Sequence, residues 1–529
     1  MTPSLRTSLW VWACLGLFLL SRVPAMQCPY QLDVDEGQML AQAMRYQHDL
    51  TPWRAVDGET GGPLLSWLPL LAHTVGLPFD FRSIHLLAIL CLAGTLLATY
   101  AAAVQLVGEG AALVALAAGA VWLALTPGAD FIHYSSELVP DVLLSGALAA
   151  LVSRDPDTKA ARIFLAGLLL GLVPWAKLQA VPIGLVLGLW ALVAVLRDRE
   201  DRPVRRWWHL ALLLGGALGP TALILTWVVR AGAGDQFWHS YLVANWARAA
   251  GRPWATHGTN LVRLLFLQEG SGWFLGTALL AAGAQWLRGR AGWRALPGRA
   301  GLLAFLLLAA ALFAALRPLT QYPHYEQLCL VPLLLAVACG ARVIDVDGPA
   351  APGRGRLTGW IVIGAALLPV SAGYFLANDG FRVLGETWRY ERSPAFELQA
   401  FVDNSVRQLV PRPESLAVWG WAPYLYVDLG IPPGTRDAGY TSLHDGNPSQ
   451  EFMRAAFLRD LAASAPQVIV DTEDYIVGDV RRTAPAIFPA FAAYLGRNYT
   501  LIGRGTATRA HGTTVLVDVY LRNPPAARP

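Results

Sequence analysis

Long apolar runs recur along most of this chain and leave it few folds. In order they are Leu9–Ala25, Ile84–Val107, Ala111–Thr126, Leu138–Val152, the pair Ile163–Trp175 and Ala180–Leu196, Trp207–Val229, Gly272–Leu287, Gly301–Leu316, Leu328–Ala341 and Trp360–Leu376. About 20 apolar residues cross ~30 Å of hydrocarbon as a helix. A backbone in lipid must satisfy its own polar groups, which favours helices. Counting the first run and both halves of the interrupted pair gives eleven spans. Of the 529 residues 55% are hydrophobic and only 15% charged, where soluble domains average about 25% charged. The chain reads as a polytopic α-helical membrane protein. A net charge of +4 is too small to argue for nucleic acid as a partner. Nearly all basic residues are Arg, with lysine only at 159 and 177; with the heavy Ala and Gly usage this suggests a GC-rich bacterial genome. Cys14, Cys28, Cys91, Cys329 and Cys339 show no zinc spacing, and none lies beyond 339 to form a disulfide in the C-terminal region.

Basic residues in short loops set orientation. Arg154, Lys159 and Arg162 share one side with Arg197, Arg199, Arg202, Arg205 and Arg206, with Arg288, Arg290, Arg294 and Arg299, and with Arg342, Arg354 and Arg356. Eleven spans then put the N-terminus in the cytosol and the C-terminus outside. Residues 26–81, the His133–Asp141 turn, residues 230–271, the Pro318–Gln327 turn and residues 377–529 fall outside. Val23-Pro24-Ala25 loosely resembles a leader-cleavage site, but the segment before the first run carries only Arg6, and the reading favours a retained first helix. Within 26–81, Gly37–His48 reads as an amphipathic helix, and Pro63–Gly76 is apolar but short for a span; both suit the interface plane. Residues 377–529 differ in composition. Ser415–Gly420, Gln467–Asp471, Tyr499–Gly503 and Thr514–Leu521 read as strands, and Phe396–Leu409 and Gln450–Ala463 as helices. That alternation suggests a small α/β domain. The division expected is 1–376 for the membrane domain and 377–529 for the outside domain.

Four groups of residues could carry chemistry. The first is Asp33, Asp35 and Glu36, just after the first span. Carboxylates near hydrocarbon are costly to keep, although acidic runs are more often solvated loops. A partly desolvated carboxylate has its pKa raised toward general-base work. In an extended segment Asp33 and Asp35 share a face; in a helix they do not. The second group runs from His133 to Asp141. Glu137 and Asp141 are four apart, so a helical start stacks them; the simpler reading is acids favoured at a helix N-terminus, which leaves His133 unexplained. The third is Lys177 in Pro174-Trp175-Ala176-Lys177-Leu178-Gln179. A compact ammonium suits a phosphate, and the alternative is a lysine snorkelling to the interface. The fourth is His324 and Tyr325, suited to a phosphate or sugar hydroxyl, or to an aromatic belt. Arg82 at the end of a span is another phosphate candidate. Trp238, His239, Tyr241 and Trp246 could line a lipid or sugar groove, though belt placement explains most of the 20 tryptophans.

A first helix followed by an outside loop carrying Asp35-Glu36 resembles the GT-C glycosyltransferases. So do Pro63-Leu64-Leu65-Ser66-Trp67-Leu68 and Phe81-Arg82-Ser83 opening the next span, the Gly167–Gln179 half-span ending near Lys177, and a soluble C-terminal domain with Trp419-Gly420-Trp421-Ala422-Pro423-Tyr424-Leu425-Tyr426 and Thr435-Arg436. Among them the chain is most similar to the protein O-mannosyltransferases and the lipid A aminoarabinose transferases. The resemblance implies a GT-C-like fold with a C-terminal periplasmic α/β domain, in a bacterial inner membrane. It implies a polyprenyl-phosphate sugar donor, a glycolipid, cell-envelope glycan or protein acceptor, and inversion. Asp35 matches the first acid of the Asp-Glu motif and is the implied base, with Glu36 in support and Glu137 a further catalytic candidate. Asp33, Arg82, His133, Asp141, Lys177, His324 and Tyr325 are the substrate-binding candidates. Some members use a divalent cation and others none, and the residues do not decide between them. Two departures stand out. Relatives often have Lys-Pro-Pro where this chain has Gly61-Gly62-Pro63, and their second outside loop often centres on an aspartate, where this chain offers Glu137 and Asp141. The competing classes are a transporter or flippase for lipid-linked sugars, which tends to show paired repeats, and a non-catalytic assembly subunit.

Overall fold

The computed structural model describes residues 5–126, 129–198, 202–250, 257–262, 298–318, 322–345, 394–439, 443, 448–472, 485–508 and 514–524. Seven of its helices are long and apolar enough to cross a membrane: Thr7–Gln27, Phe81–Val107, Lys159–Ala176, Leu178–Arg197, Pro203–Arg230, Gly298–Leu316 and Pro323–Arg342. Leu64–Thr74, Glu109–Leu125 and Leu138–Val152 are shorter apolar helices. The expected spans Gly272–Leu287 and Trp360–Leu376 lie outside the described residues. Each of the other expected spans coincides with a helix, and the protein is a multi-pass membrane protein with a sheet-containing C-terminal region.

The first helices are α1 (Leu5–Gln27), α2 (Val34–Tyr46), α3 (Leu64–Thr74), α4 (Phe81–Val107), α5 (Glu109–Leu125), α6 (Leu138–Val152), α7 (Lys159–Ala176), α8 (Val181–Arg197) and α9 (Pro203–Arg230). The described chain falls into two compact units. The first comprises Met1–Met26, Leu86–Ile224 and Ala249–Gly385. Here α6 and α7 pack side by side, α5 lies along Leu330–Asp345, and α8 lies along Gly298–Leu316. The α7–α9 contact depends on glycine. A Cβ on Gly167 or Gly171 would strike the backbone of α9 at Leu213 or Ala217, and one on Gly216 would lie 2.6 Å from the Phe164 carbonyl. Small residues four apart let two membrane helices approach this closely. The break between α7 and α8 falls at Lys177, which is extended at φ −157° and ψ 123°. Pro174 remains inside α7, while Pro182 sits at the start of α8, where its missing donor costs nothing. Arg22 is buried in α1 and donates to the carbonyls of Leu123, 2.7 Å, and Phe131, 3.2 Å. It thereby caps the last turn of α5, where carbonyls lack helical partners.

The second unit comprises Gln27–His85, Leu225–Arg248 and Glu386–Pro529. Its sheet has the order β1-β2-β4-β3, from β1 (Leu416–Trp419), β2 (Val468–Asp471), β3 (Tyr499–Thr508) and β4 (Thr514–Arg522). β1 and β2 run parallel, and the other two pairs are antiparallel. A parallel pair needs a crossover, and the helix Gln450–Ser464 lies between the two strands in sequence. Trp419 stacks on Phe491 at 4.4 Å and packs with Phe457 and Leu461 as the core of this region. The α/β character expected from sequence is present, with helices at Pro394–Leu409 and Gln450–Ser464. Tyr424–Leu429 and Pro489–Asn498 are further helices the sequence reading passed over, and β3 extends to Thr508.

The loop after α1 belongs to this same unit, and hydrogen bonds knit it to the C-terminal residues. Arg45 on α2 donates to the carbonyls of Ala55 and Pro433, each 2.5 Å away. The Trp421 indole donates to Gln38 Oε1 at 3.3 Å. The Asp57 amide donates to the Arg436 carbonyl at 2.8 Å. Arg436 returns a bond to the Trp53 carbonyl, 3.3 Å, and grips both carboxylate oxygens of Asp460 at 2.6 and 2.7 Å. The Asp57 side chain is wholly buried and accepts from Gln236 at 2.6 Å and from the Glu59 amide at 3.0 Å.

Burial raises the Asp57 carboxyl above the usual carboxylate range, against the lowering influence of the Gln236 hydrogen bond, the Glu59 amide and the Arg436 charge. A raised folded-state pKa contributes stability that is fully present below the unfolded value and is lost as pH rises through the folded value. Thermal unfolding of the detergent-solubilised protein should therefore lose this contribution as pH climbs from acid toward neutral, and Asp57→Asn should flatten that slope. An unchanged slope in Asp57→Asn would show that Asp57 has no part in it.

Candidate functional site

The acidic stretch folds as the start of α2, one turn earlier than Gly37–His48 suggests. Asp33 is extended, at φ −143° and ψ 156°, and caps the helix by accepting from the Asp35 amide at 3.0 Å. Glu36 turns back to complete a capping box. Its Oε1 accepts from the Asp33 amide at 3.4 Å, from the Leu32 amide, and from His85 Nε2 at 3.0 Å. Glu36 and His85 are wholly buried, whereas Asp35 at the second helical position is half-buried. The three acids thus differ: Asp33 caps, Glu36 clamps, and Asp33 and Asp35 are half-buried where Glu36 is fully buried. Gly37 follows because space is short. A Cβ there would lie 2.7 Å from Gln31 Oε1 and 3.2 Å from the Tyr424 amide nitrogen. Arg82, a phosphate candidate, donates to the Gln27 carbonyl at 3.2 Å.

A second polar cluster lies in the first unit, at the ends of α6 and α7. Glu137 stands at the N-cap of α6, and the Asp141 amide donates to its carbonyl at 3.0 Å, so the helical stacking expected of this pair is present. Lys177 is buried and does not snorkel. Its Nζ donates to Ser136 Oγ at 2.5 Å and forms an ion pair with Glu137. The same Nζ lies 4.9 Å from the centre of the Tyr325 ring, within cation–π range. His324 Nδ1 is 2.9 Å from Asp130 Oδ1. The His324 ring stacks on Tyr322 at 5.3 Å and meets His133 edge-on at 5.9 Å. Gln327 bridges this group, accepting from Ser135 at 2.5 Å and donating to the Asp130 carbonyl. His133, Glu137, Lys177, His324 and Tyr325, read separately from the sequence, are therefore one cluster. Asp141 is wholly buried, and neither carboxylate oxygen has a hydrogen-bond partner among the described residues.

Burial pushes the Asp130 carboxyl up, but the hydrogen bond and charge of His324, with the charge of His133, outweigh it and hold the group below its usual range. Asp130 is thus an ionised partner for His324. The sequence reading passed over it, and over Gln327 and His85; a lone acid or amide in a loop gives no periodic signal. The capping box was within reach, since Asp33 and Glu36 have the required spacing ahead of Met39 and Leu40. Among the described residues no group of three His, Cys, Asp or Glu side chains could hold a metal ion.

No protein-family model matches the chain, and no curated protein matches it. Solved structures do. The chain is similar to ArnT from Cupriavidus metallidurans bound to undecaprenyl phosphate, with a TM-score of 0.58 and 17% identity, over 98% of this chain and 99% of that one. The apo structure of the same protein matches with a TM-score of 0.56 and 16% identity, over 97% and 98% of the two chains. The chain therefore has the GT-C fold that the Asp35-Glu36 loop and the order of spans suggest.

A buried ion pair broken from one side leaves a charge without a partner and costs about 3–5 kcal/mol. Lys177→Met should accordingly lower the melting temperature of the detergent-solubilised protein sharply. The double variant Lys177→Met/Glu137→Gln should regain most of the loss. A Lys177→Met protein that melts like the wild type would rule out this pairing.

Proposed function

We propose that the chain is a glycosyltransferase of a bacterial inner membrane, moving a sugar from a polyprenyl-phosphate donor to a glycolipid, cell-envelope glycan or protein acceptor on the periplasmic side. The observation that carries this reading is Asp35, a half-buried carboxylate presented at a capped helix start directly after the first span, in a chain sharing the GT-C fold with ArnT over nearly its whole length. That relative is described with undecaprenyl phosphate bound, which supports a lipid phosphate as the carrier here. In the same reading, residues 1–376 form the membrane domain with 26–81 as its catalytic outer loop, the N-terminus is cytoplasmic, and residues 377–529 form a periplasmic domain.

The reaction needs a base, a grip on the leaving group and no strong acid. The acceptor hydroxyl attacks the anomeric carbon, and its proton passes to the Asp35 carboxylate. The bond from that carbon to the phosphate oxygen breaks, and its electron pair leaves with the polyprenyl phosphate. Attack opposite the leaving group inverts the anomeric centre. Glu36 is spent on the clamp, so it supports Asp35 by holding the helix start. Arg82, in the same unit as Asp35, is a guanidinium suited to the phosphate charge; Lys177 and His324 are further phosphate candidates. Lys177 can serve by exchanging its bond to Ser136 for one to phosphate while Glu137 keeps its charge fixed. Tyr325 and His133 would flank the sugar or phosphate, and Asp33 and Asp141 would act through structure.

The competing transporter reading moves the lipid intact, and the assembly-subunit reading moves nothing. Lipid extracts of a strain lacking the gene separate these. The proposal expects a polyprenyl-phosphate sugar to accumulate, the wild-type gene to clear it, and Asp35→Asn to leave it in place although the variant is made and inserted. An unchanged lipid profile in the deletion strain, or clearance by Asp35→Asn, would overturn the proposal.

A further inference from the structure

Resting on that reading of Asp35, we infer that His85 is a positioning residue: by donating from Nε2 to Glu36 it holds the start of α2, and so Asp35, in register for proton abstraction. His85 lies in the first turns of α4, 49 positions from Glu36 in sequence, and its whole side chain is buried. It ties the capping box to α4, a helix long and apolar enough to cross a membrane. The box by itself is a local device, in which Asp33 and Glu36 satisfy amides within four residues of each other. Such a box fixes how the helix begins and leaves open where it sits. The His85 bond, 3.0 Å long, fixes Glu36 against α4, and Glu36 gathers the Leu32 and Asp33 amides onto the same oxygen. Asp35 lies between Asp33 and Glu36, both so held.

The tautomer follows from the partners. Nε2 faces a carboxylate that already accepts two amides, so Nε2 carries a proton. Nδ1 is buried with no hydrogen-bond partner among the described residues, and an N–H there would be a buried donor left unmade. The Nε2–H tautomer meets both conditions. His85 therefore serves as a donor of fixed geometry and takes no part in proton transfer. Groups that orient a functional carboxylate set the reacting distance, and a displacement of about 1 Å costs on the order of 100-fold in rate.

Amide side chains provide the discriminating variants. The nitrogen of Gln at 85 reaches the Nε2 position, and that of Asn reaches only the Nδ1 position, while both are neutral and polar. The assay uses the full-length protein in detergent, with the polyprenyl-phosphate sugar fraction extracted from the deletion strain as donor and membranes of that strain as acceptor. His85→Leu and His85→Asn should lose about 100-fold in kcat with KM for the donor nearly unchanged, and His85→Gln should recover at least about tenfold over His85→Asn, because a lost orienting contact acts on kcat. A purely structural role would instead lower Gln and Asn variants alike, in step with their melting temperatures. Equal kcat for His85→Gln and His85→Asn, or full kcat in His85→Leu, would overturn the inference. Asp35→Asn in the same assay separates the premise: if it turns over normally the base reading fails, whereas an inactive Asp35→Asn beside a fully active His85→Leu removes His85 alone.

Discussion

A charge taken out of water must find its partner inside the protein, and this constraint shapes every polar site described above. Moving a carboxylate or an ammonium into a low-dielectric interior costs several kcal/mol even after relaxation. The chain keeps few charges, and those it buries are mostly tied. Glu36 holds two amides and His85. Glu137 holds Lys177. Arg22 holds two carbonyls, and Asp57 holds Gln236 and an amide. Asp35 is half-buried, and the proposed role as base rests on that partial access.

The grouping of the loop after α1 with the C-terminal residues gives the second organising fact. Arg45, Gln38, Trp53 and Asp57 from the loop bond to Pro433, Trp421 and Arg436. Helix α2 is thus braced at its far end by Arg45 and along its side by Tyr424, whose backbone approaches Gly37. These bonds tie the C-terminal residues to α2 and to the loop that follows it. Arg436 is the hub, since its bidentate pair with Asp460 fixes the guanidinium that reaches Trp53.

Much of this was legible in the sequence. Span positions follow from hydropathy, because a membrane crossing needs a minimum apolar length that no other feature mimics. The strands Leu416–Trp419, Val468–Asp471 and Thr514–Arg522 stood out as short apolar runs between turn residues. The identity of the polar cluster was legible residue by residue, since His133, Glu137, Lys177 and His324 each sit where a charge is costly. Their mutual pairing was not, because Lys177 and Glu137 are 40 positions apart and pairing is a property of helix packing. The start of α2 was misjudged because three acids in four residues read as a loop, whereas two of them are the cap. His85 and Asp130 gave no signal at all: a single polar residue takes its meaning from what the fold sets against it.

The central claim is that this protein breaks the bond between a sugar and a lipid phosphate. Its most direct test reconstitutes the full chain in nanodiscs with the sugar-bearing lipid from the deletion strain and an acceptor membrane extract, and counts free polyprenyl phosphate released. Lipid phosphate should appear in equal amount to the sugar transferred, with the anomeric centre inverted. Sugar-bearing lipid that stays intact would contradict it.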